Sequence, residues 1–352
     1  MYRIGSIITS EICRPEYNPY FLENPIMRKI INFFTATFKD NEYQWVHIND
    51  MDLELYIGKL PFTSKQLDLV RPAHIDRLCK KIIDYFHENE IKNVVLPRSI
   101  KRNKYIRENM QKNNFLFCDG QYILLAMSLD ILKKLCKIMN TDVAQLDIGI
   151  VENTFTNRSR YLIQVLSRHV KYIALITKCH EEAQKYLDHI FEETGLTGRV
   201  SMDASKTAKN LTILFVLDDL DAFLKQVTLH SQTIILNFGG GSTRYKYMDH
   251  IIIDDIIIKT PEIVKPLIKV LGPLDEIELI GNMVLQKLKK DGFDDDANEK
   301  SIDFYLRCYD ELCRYRYTIS ALNGGGMPID LSKLVRMSGN VKKDKGIFVD
   351  NV

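Results

Sequence analysis

A glycine triplet next to two hydroxyl side chains is the first group of residues here that could bind a ligand. The triplet is Gly239, Gly240 and Gly241. It follows the apolar run 233–238 and precedes the Ser-Thr pair 242–243. Glycine lets the backbone approach a phosphate closely, and hydroxyl groups can donate hydrogen bonds to it. The stretch therefore predicts either a nucleotide-contacting loop or a plain turn after a buried strand.

The first turn of the regular strand–helix region is a second candidate for phosphate binding. The predicted strand 146–151 is followed by a turn and then by a predicted helix over 158–170. A dinucleotide-binding Rossmann turn carries glycines here, so that backbone N–H groups at the helix N-terminus can approach a pyrophosphate. Those positions hold Glu152, Asn153 and Thr154, of which the last two are expected to contact a cofactor. A Glu152 side chain that filled the pyrophosphate space would argue against a dinucleotide.

The end of the next strand is where a Rossmann domain contacts the adenosine ribose. An Asp or Glu at this place binds the ribose hydroxyls, whereas a basic residue accommodates a 2′-phosphate. The predicted strand 171–177 ends in Thr177 and is followed by Lys178. This pair favours the 2′-phosphate of NADP over a bare ribose. The same residue types are also common on the surface after any strand.

The elements that position these residues follow from the spacing of apolar side chains. Runs of Ile, Leu and Val alternate with amphipathic segments over about 146–275. This pattern is typical of a parallel sheet buried on both faces. Upstream, the spacing predicts helices over 71–90 and 129–139. It predicts strands over 43–49, 53–63 and 92–97. Downstream, it predicts one helix over 303–319 and a polar tail.

These elements predict an α/β protein in three parts. An N-terminal α/β domain covers 1–145, and a Rossmann-like domain with a doubly wound parallel sheet covers 146–290. A helical C-terminal extension with its tail covers 291–352. The glycine triplet then follows a late strand of the parallel sheet, at the edge where open α/β sheets bind ligands.

The segment 250–288 resembles the end of the cofactor domain in shikimate dehydrogenases. In that family a strand ends in Asp, a Thr-Pro helix start follows, and a G-x-M-L-x-Q helix comes later. The matching residues here are Asp254 or Asp255, Thr260, Pro261, Gly281, Met283 and Gln286. The resemblance implies that Gln286 reaches the substrate and that Met283 backs the nicotinamide ring.

The same resemblance implies a catalytic lysine. In the family this lysine follows a Pro-aromatic pair of the N-terminal domain. Pro61 and Phe62 precede Lys65 here, with two additional residues between them and the lysine. The resemblance thus implies Lys65 as proton donor or acceptor. For the Asn-Thr-Asp that pairs with the lysine in the family, the sequence offers only Asp119 as a candidate aspartate.

The glycine triplet also resembles the phosphate-binding turn of sugar-kinase- and exopolyphosphatase-like ATPases. Those enzymes carry an Asp as metal ligand two residues before the first glycine, and here that position holds Asn237. This interpretation therefore ranks below the Rossmann-like one. The sequence has neither a P-loop with Gly-Lys-Ser/Thr nor a His, Cys or carboxylate spacing typical of zinc or calcium sites. We therefore predict no metal.

The composition is that of an ordinary globular protein. The chain of 352 residues has 48 basic and 46 acidic side chains and a net charge of +2, which gives no support to a nucleic-acid partner. The sequence shows neither an apolar run of membrane-helix length nor a signal-peptide pattern, and its seven scattered cysteines are expected to be reduced. We predict a cytoplasmic, bacterial protein without a membrane partner, compatible with a homo-oligomer.

Two functions are compatible with these features. The first is a Rossmann-like protein of dehydrogenase ancestry that binds a nucleotide or small molecule in an interdomain cleft. In its catalytic form it is an oxidoreductase that uses NADP or NAD. The alternative is a non-catalytic regulatory or scaffold protein that has lost the dinucleotide site. The glycine-free turn after residue 151 favours the alternative, and the helix containing Gly281 and Gln286 favours the first function.

Overall fold

The computed structural model describes residues 2–9, 42–48, 53–62, 67, 70–96, 100, 103–117, 120–239, 250–259, 277–293, 300–324, 327–329 and 334. The chain divides into two compact units, each made of two lengths of chain. The first unit is Met1–Asp119 with Leu267–Asp291, and the second is Gly120–Pro266 with Gly292–Val352. These boundaries differ from the predicted ones at 145 and 290.

The first unit contains a five-stranded sheet. Its strands are β1 (Tyr2–Thr9), β2 (Glu42–Ile48), β3 (Leu53–Leu60), β4 (Asn93–Val95) and β5 (Leu116–Phe117). The strand order is β2-β3-β1-β4-β5, and only β2, at one edge, is antiparallel to its neighbour. The unit also contains helices α1 (Pro72–Glu88) and α2 (Lys104–Lys112). The predicted N-terminal α/β architecture is therefore confirmed.

Helix α1 packs on this sheet through an apolar stripe. Its buried residues recur every three or four positions, as an amphipathic helix requires: Ile75, Leu78, Cys79, Ile82, Ile83 and Phe86. Two sheet glycines make room for the helix. A Cβ atom at Gly5 would lie 2.8 Å from the Phe86 ring, and one at Gly58 would lie 2.7 Å from Ile82.

The second unit begins with helices α3 (Gln121–Ala126) and α4 (Ser128–Met139), after which strands and helices alternate. The strands of its main sheet are β6 (Ile148–Val151), β7 (Tyr172–Ile176), β8 (Thr197–Ser201), β9 (Ile213–Val216), β10 (Ile234–Asn237) and β11 (Ile251–Ile253). The helices between them are α5 (Asn157–Leu166), α6 (His180–Thr194), α7 (Ala204–Ala208) and α8 (Leu220–Leu224). This part matches the predicted alternation closely.

All six strands of the main sheet are parallel, in the order β11-β10-β9-β6-β7-β8. Numbered from β6 along the chain, the order becomes 3-2-1-4-5-6, which is that of a Rossmann domain. Every residue of β6, β9 and β10 is buried. Alternate side chains point to opposite faces, so both faces of the sheet are covered. The predicted Rossmann-like sheet is confirmed.

The region after residue 254 contains a small sheet that the sequence did not predict. Strands β12 (Asp255–Lys259), β13 (Thr318–Gly324) and β14 (Met327–Pro328) form an antiparallel sheet in the order β12-β13-β14. Two further helices are α9 (Ile277–Lys290), in the first unit, and α10 (Ile302–Arg314), in the second. The predicted helix 303–319 was therefore too long, and the C-terminal extension is not purely helical.

Candidate functional site

The carboxyl ends of β6 and β9 define the topological switch point of the main sheet, where the strand order reverses. Open α/β sheets bind ligands outside this point. Polar residues follow both strands. Glu152 and Asn153 come directly after β6, and Asp218 and Asp219 follow β9 after a single buried leucine.

Glu152 is a buried acid at the start of the turn between β6 and α5, with 1% of its surface exposed. Its backbone N–H still donates to the carbonyl oxygen of Ile176 in the sheet. Its carboxylate accepts hydrogen bonds from the Thr156 N–H at 2.8 Å, the Thr156 hydroxyl at 2.7 Å and the Ser159 hydroxyl at 2.6 Å. The carboxylate therefore lies at the N-terminus of α5 and is held there by three donors of its own chain.

An arginine completes this arrangement. Arg158 places one guanidinium nitrogen 4.0 Å from a Glu152 oxygen. Another of its nitrogens donates to the carbonyl oxygen of Phe238, just past β10, at 2.6 Å. Its backbone N–H donates to the hydroxyl of Thr156, the N-cap residue of α5. Arg158 was not predicted as a site residue, although it lies in the first turn of the helix that follows.

The turn achieves its shape without glycine. Phe155 adopts a φ of 45°, in the left-handed region that favours glycine, yet only 3% of its surface is exposed. The Arg160 guanidinium lies over the Phe155 ring at 5.1 Å and over the Tyr186 ring at 5.6 Å, and it pairs with Glu182. These contacts secure a conformation that costs a non-glycine residue free energy.

Helix α5 is held in place by a hydrogen bond from its Tyr161 to the end of α3. The hydroxyl of Tyr161 donates to the carbonyl oxygen of Ala126, at the end of α3, at 2.9 Å. Tyr161 is 1% exposed, and this burial raises the pKa of its hydroxyl well above the ordinary value. The hydroxyl therefore stays protonated and keeps the bond, so α5 presents its N-terminus at a fixed place.

Asn153 joins the two strands at the switch point. Its backbone N–H and its side-chain amide both donate to one carboxylate oxygen of Asp218, each at 2.7 Å. Its carbonyl oxygen accepts from the Lys178 N–H and from the Thr177 hydroxyl, both at 3.2 Å. Asn153 and Thr154 remain exposed, so both predicted residues are accessible at this edge. The sequence did not identify Asp218.

The two residues predicted to lie near a ribose differ in their availability. Thr177 is 3% exposed, and its hydroxyl donates to Asn153 and accepts from the Cys179 N–H at 3.2 Å. Lys178 is exposed. Among the described residues its ammonium group has neither an ion pair nor a side-chain hydrogen bond. Lys178 is therefore the one of the two with a group ready for a ligand.

Gly239 approaches the backbone after β9. A Cβ atom at this position would lie 1.8 Å from the carbonyl oxygen of Asp218, so a side chain cannot be accommodated without moving backbone. The Gly239 N–H donates to the side chain of Asn237 at 3.3 Å. This first glycine thus has a packing role beside the switch point. Gly240 and Gly241 lie outside the described residues.

Met283 and Gln286, to which the family resemblance assigns roles, belong to the first compact unit, whereas Asp254 and Asp255 belong to the second. Met283 is 1% exposed within α9, and Gln286 is half-buried one turn later. Lys65 lies outside the described residues. Their implied roles stay predictions.

Among the described residues, no group of three or more His, Cys, Asp or Glu side chains is arranged to hold a metal ion. None of the described helices has the length and apolar character needed to cross a membrane.

Comparisons with known proteins find only distant structural likeness. The chain matches no protein-family model and no curated protein. Among solved structures, it is similar to L-tryptophan dehydrogenase from Nostoc punctiforme, with 10% identity over 97% of this chain and 89% of that chain and a TM-score of 0.33. A ligand-free 5-ketofructose reductase of Gluconobacter sp. strain CHM43 gives 11% identity, coverage of 89% and 99%, and a TM-score of 0.30.

An ornithine carbamoyltransferase from Pyrococcus furiosus is similar at 9% identity, over 71% of this chain and 79% of that chain, with a TM-score of 0.28. These neighbours are a dehydrogenase, a reductase and a carbamoyltransferase, so they do not single out one reaction or ligand. None of the three is a shikimate dehydrogenase, and the resemblance of 250–288 to that family stays a prediction.

Proposed function

We propose that this chain binds a nucleotide or a related small molecule at the carboxyl edge of its six-stranded sheet, beside the β6–β9 switch point. One observation carries the proposal. The strand order is that of a Rossmann domain, and exposed polar residues lie at the edge where such sheets bind ligands.

Three groups at this edge suit a nucleotide. The exposed Asn153 and Thr154 offer side-chain hydrogen-bonding groups at the end of β6. The ammonium group of Lys178, at the end of the neighbouring strand, suits a phosphate. A basic residue at the end of the second Rossmann strand favours NADP over NAD. NADP and NAD are therefore the first ligands to test, and hydride transfer is the first chemistry.

The experiment is a titration of the purified chain with NADPH and NADH, followed by ligand fluorescence and by thermal shift. We expect NADPH to bind with a Kd on the order of 10–100 µM. Lys178→Ala should weaken NADPH about tenfold, which is typical for a lost charge-assisted contact, and should change NADH less.

Lys171→Ala is the matched control. Lys171 is also exposed but precedes β7, at the opposite end of the strand that Lys178 follows. This variant should bind both nucleotides as the unmodified chain does. If neither nucleotide binds at millimolar concentration, the oxidoreductase proposal is wrong, and the alternative of a protein without a dinucleotide site takes its place.

A further inference from the structure

The side chain of Glu152 lies where a Rossmann domain binds the phosphates of its ligand. It follows the first strand of the sheet and meets the N-terminus of α5, a helix of ten residues. A helix N-terminus favours an anion, because its first N–H groups have no partner within the helix and its dipole is positive there. In this chain the anion is already present as a carboxylate.

Four donors at the start of α5 are already used within the chain. Glu152 accepts from one backbone N–H and two hydroxyls of the first helical turn. The Thr156 hydroxyl in turn accepts from the Arg158 N–H. With 1% of its surface exposed, Glu152 is covered by its own chain at this place. A phosphate placed there would also be repelled by the carboxylate.

We infer that Glu152 is a specificity-determining residue that acts as a built-in anion and keeps the diphosphate of a ligand away from α5. This inference deepens the proposed function and rests on it. The site then favours ligands held by Lys178, Asn153 and Thr154 over ligands that depend on a diphosphate at α5. A dinucleotide binds only as well as its other contacts allow.

A purely structural role for Glu152 would give a different outcome. If the acid only caps the helix, its replacement lowers the stability of the protein and leaves anion binding unchanged. An acid that occupies an anion position releases that position when it is replaced, because the Thr156 N–H and the Ser159 hydroxyl become free. A gain of anion binding therefore separates the two roles.

The experiment uses the full chain and inorganic pyrophosphate as probe, with binding followed by calorimetry. Glu152→Ala should bind pyrophosphate at least about tenfold more tightly than the unmodified chain, since one nearby negative charge is removed and its donors are freed. Glu152→Gln keeps the size of the side chain and should give a smaller gain. It serves in place of the alanine variant if that variant does not fold.

Glu181→Ala is the matched control. Glu181 is an exposed acid in the first turn of the neighbouring helix α6, so its removal changes the net charge equally without opening α5. Its affinity for pyrophosphate should stay within about twofold of the unmodified chain. An equal gain in both variants, or folded Glu152 variants without any gain, would overturn the inference. Failure of the unmodified chain to bind NADPH or NADH bears on the proposed function instead.

Discussion

Replacement of Glu152 by Gln should lower the free energy of unfolding by about 2–4 kcal/mol. Hydrogen bonds to a charged group contribute roughly 1.5–3 kcal/mol each, against roughly 0.5–1.5 for neutral ones. The glutamine oxygen can still accept from the Thr156 N–H and the Ser159 hydroxyl, as neutral bonds. Its amide nitrogen faces the Thr156 hydroxyl, which at present donates to the carboxylate at 2.7 Å. The expected loss of stability is smaller than the sum of the weakened hydrogen bonds, because the variant also avoids the cost of burying a charge.

Equilibrium unfolding in urea measures this difference, and Ser159→Ala provides the control. Ser159 is fully buried, and its hydroxyl donates to the same carboxylate at 2.6 Å. Its replacement removes one of the three donors and should cost about 1–2 kcal/mol. The double variant should lose less than the two single losses added together, by about 0.5 kcal/mol or more, since both changes break one network.

If the free energy of unfolding of Glu152→Gln lies within about 0.5 kcal/mol of that of the unmodified chain, the range of ordinary surface substitutions, the Glu152 carboxylate does not stabilise the fold through these bonds. Strict additivity in the double variant would also contradict such stabilisation, because it would show that Glu152 and Ser159 do not share one stabilising contact.

Three further outcomes are expected. Tyr161→Phe should lower the free energy of unfolding by about 1–2 kcal/mol in urea, because the buried Ala126 carbonyl loses its donor; no measurable change would contradict that bond. Gly239→Ala should cost roughly 2 kcal/mol or more in thermal unfolding, because its Cβ would overlap the Asp218 backbone, and an unchanged Tm would rule out the close approach. In native protein at pH 8, iodoacetamide should label the exposed Cys313 and spare Cys79, whose pKa is raised by burial to about 12; rapid labelling of Cys79 would show that its site is open.

The buried strands of the main sheet are the part of the fold that the sequence predicts best. Continuous runs of Ile, Leu and Val leave few alternatives to a strand covered on both faces, and β6, β9 and β10 lie where those runs occur. The end of α6 is equally clear. Gly195 follows the last helical residue and adopts a φ of 74° at the C-cap, a conformation that glycine accepts without strain.

The sequence did not predict the small antiparallel sheet, because its strands β12 and β13 are far apart along the chain. Asp255 pairs with Asn323, so no short hairpin connects the two strands. The residues before β13 follow α10 with apolar spacing that a helix also satisfies. Only the pairing with β12 makes these residues a strand. Local periodicity alone favoured a helix, which was wrong.

In the candidate site, too, the local contacts could be expected from the sequence and the long-range contacts could not. The charge of Glu152 already argued against a pyrophosphate, and Thr156 and Ser159 lie four and seven positions later, a spacing that places them within reach in a turn and helix. The bond between Asn153 and Asp218 joins residues 65 positions apart. It exists because β6 and β9 are neighbours in the sheet, which no local pattern shows.

The division of each compact unit between two lengths of chain affects how the protein is made. Synthesis proceeds from the N-terminus, and a domain folds as a unit once all of it has emerged. Met1–Asp119 leaves the ribosome well before α9, which belongs to the same unit and is buried through its first two turns. The second unit likewise waits for α10 and β13. Neither unit can therefore be produced as one uninterrupted fragment, and we expect nascent chains to expose apolar surface of the second unit until α10 and β13 have been translated.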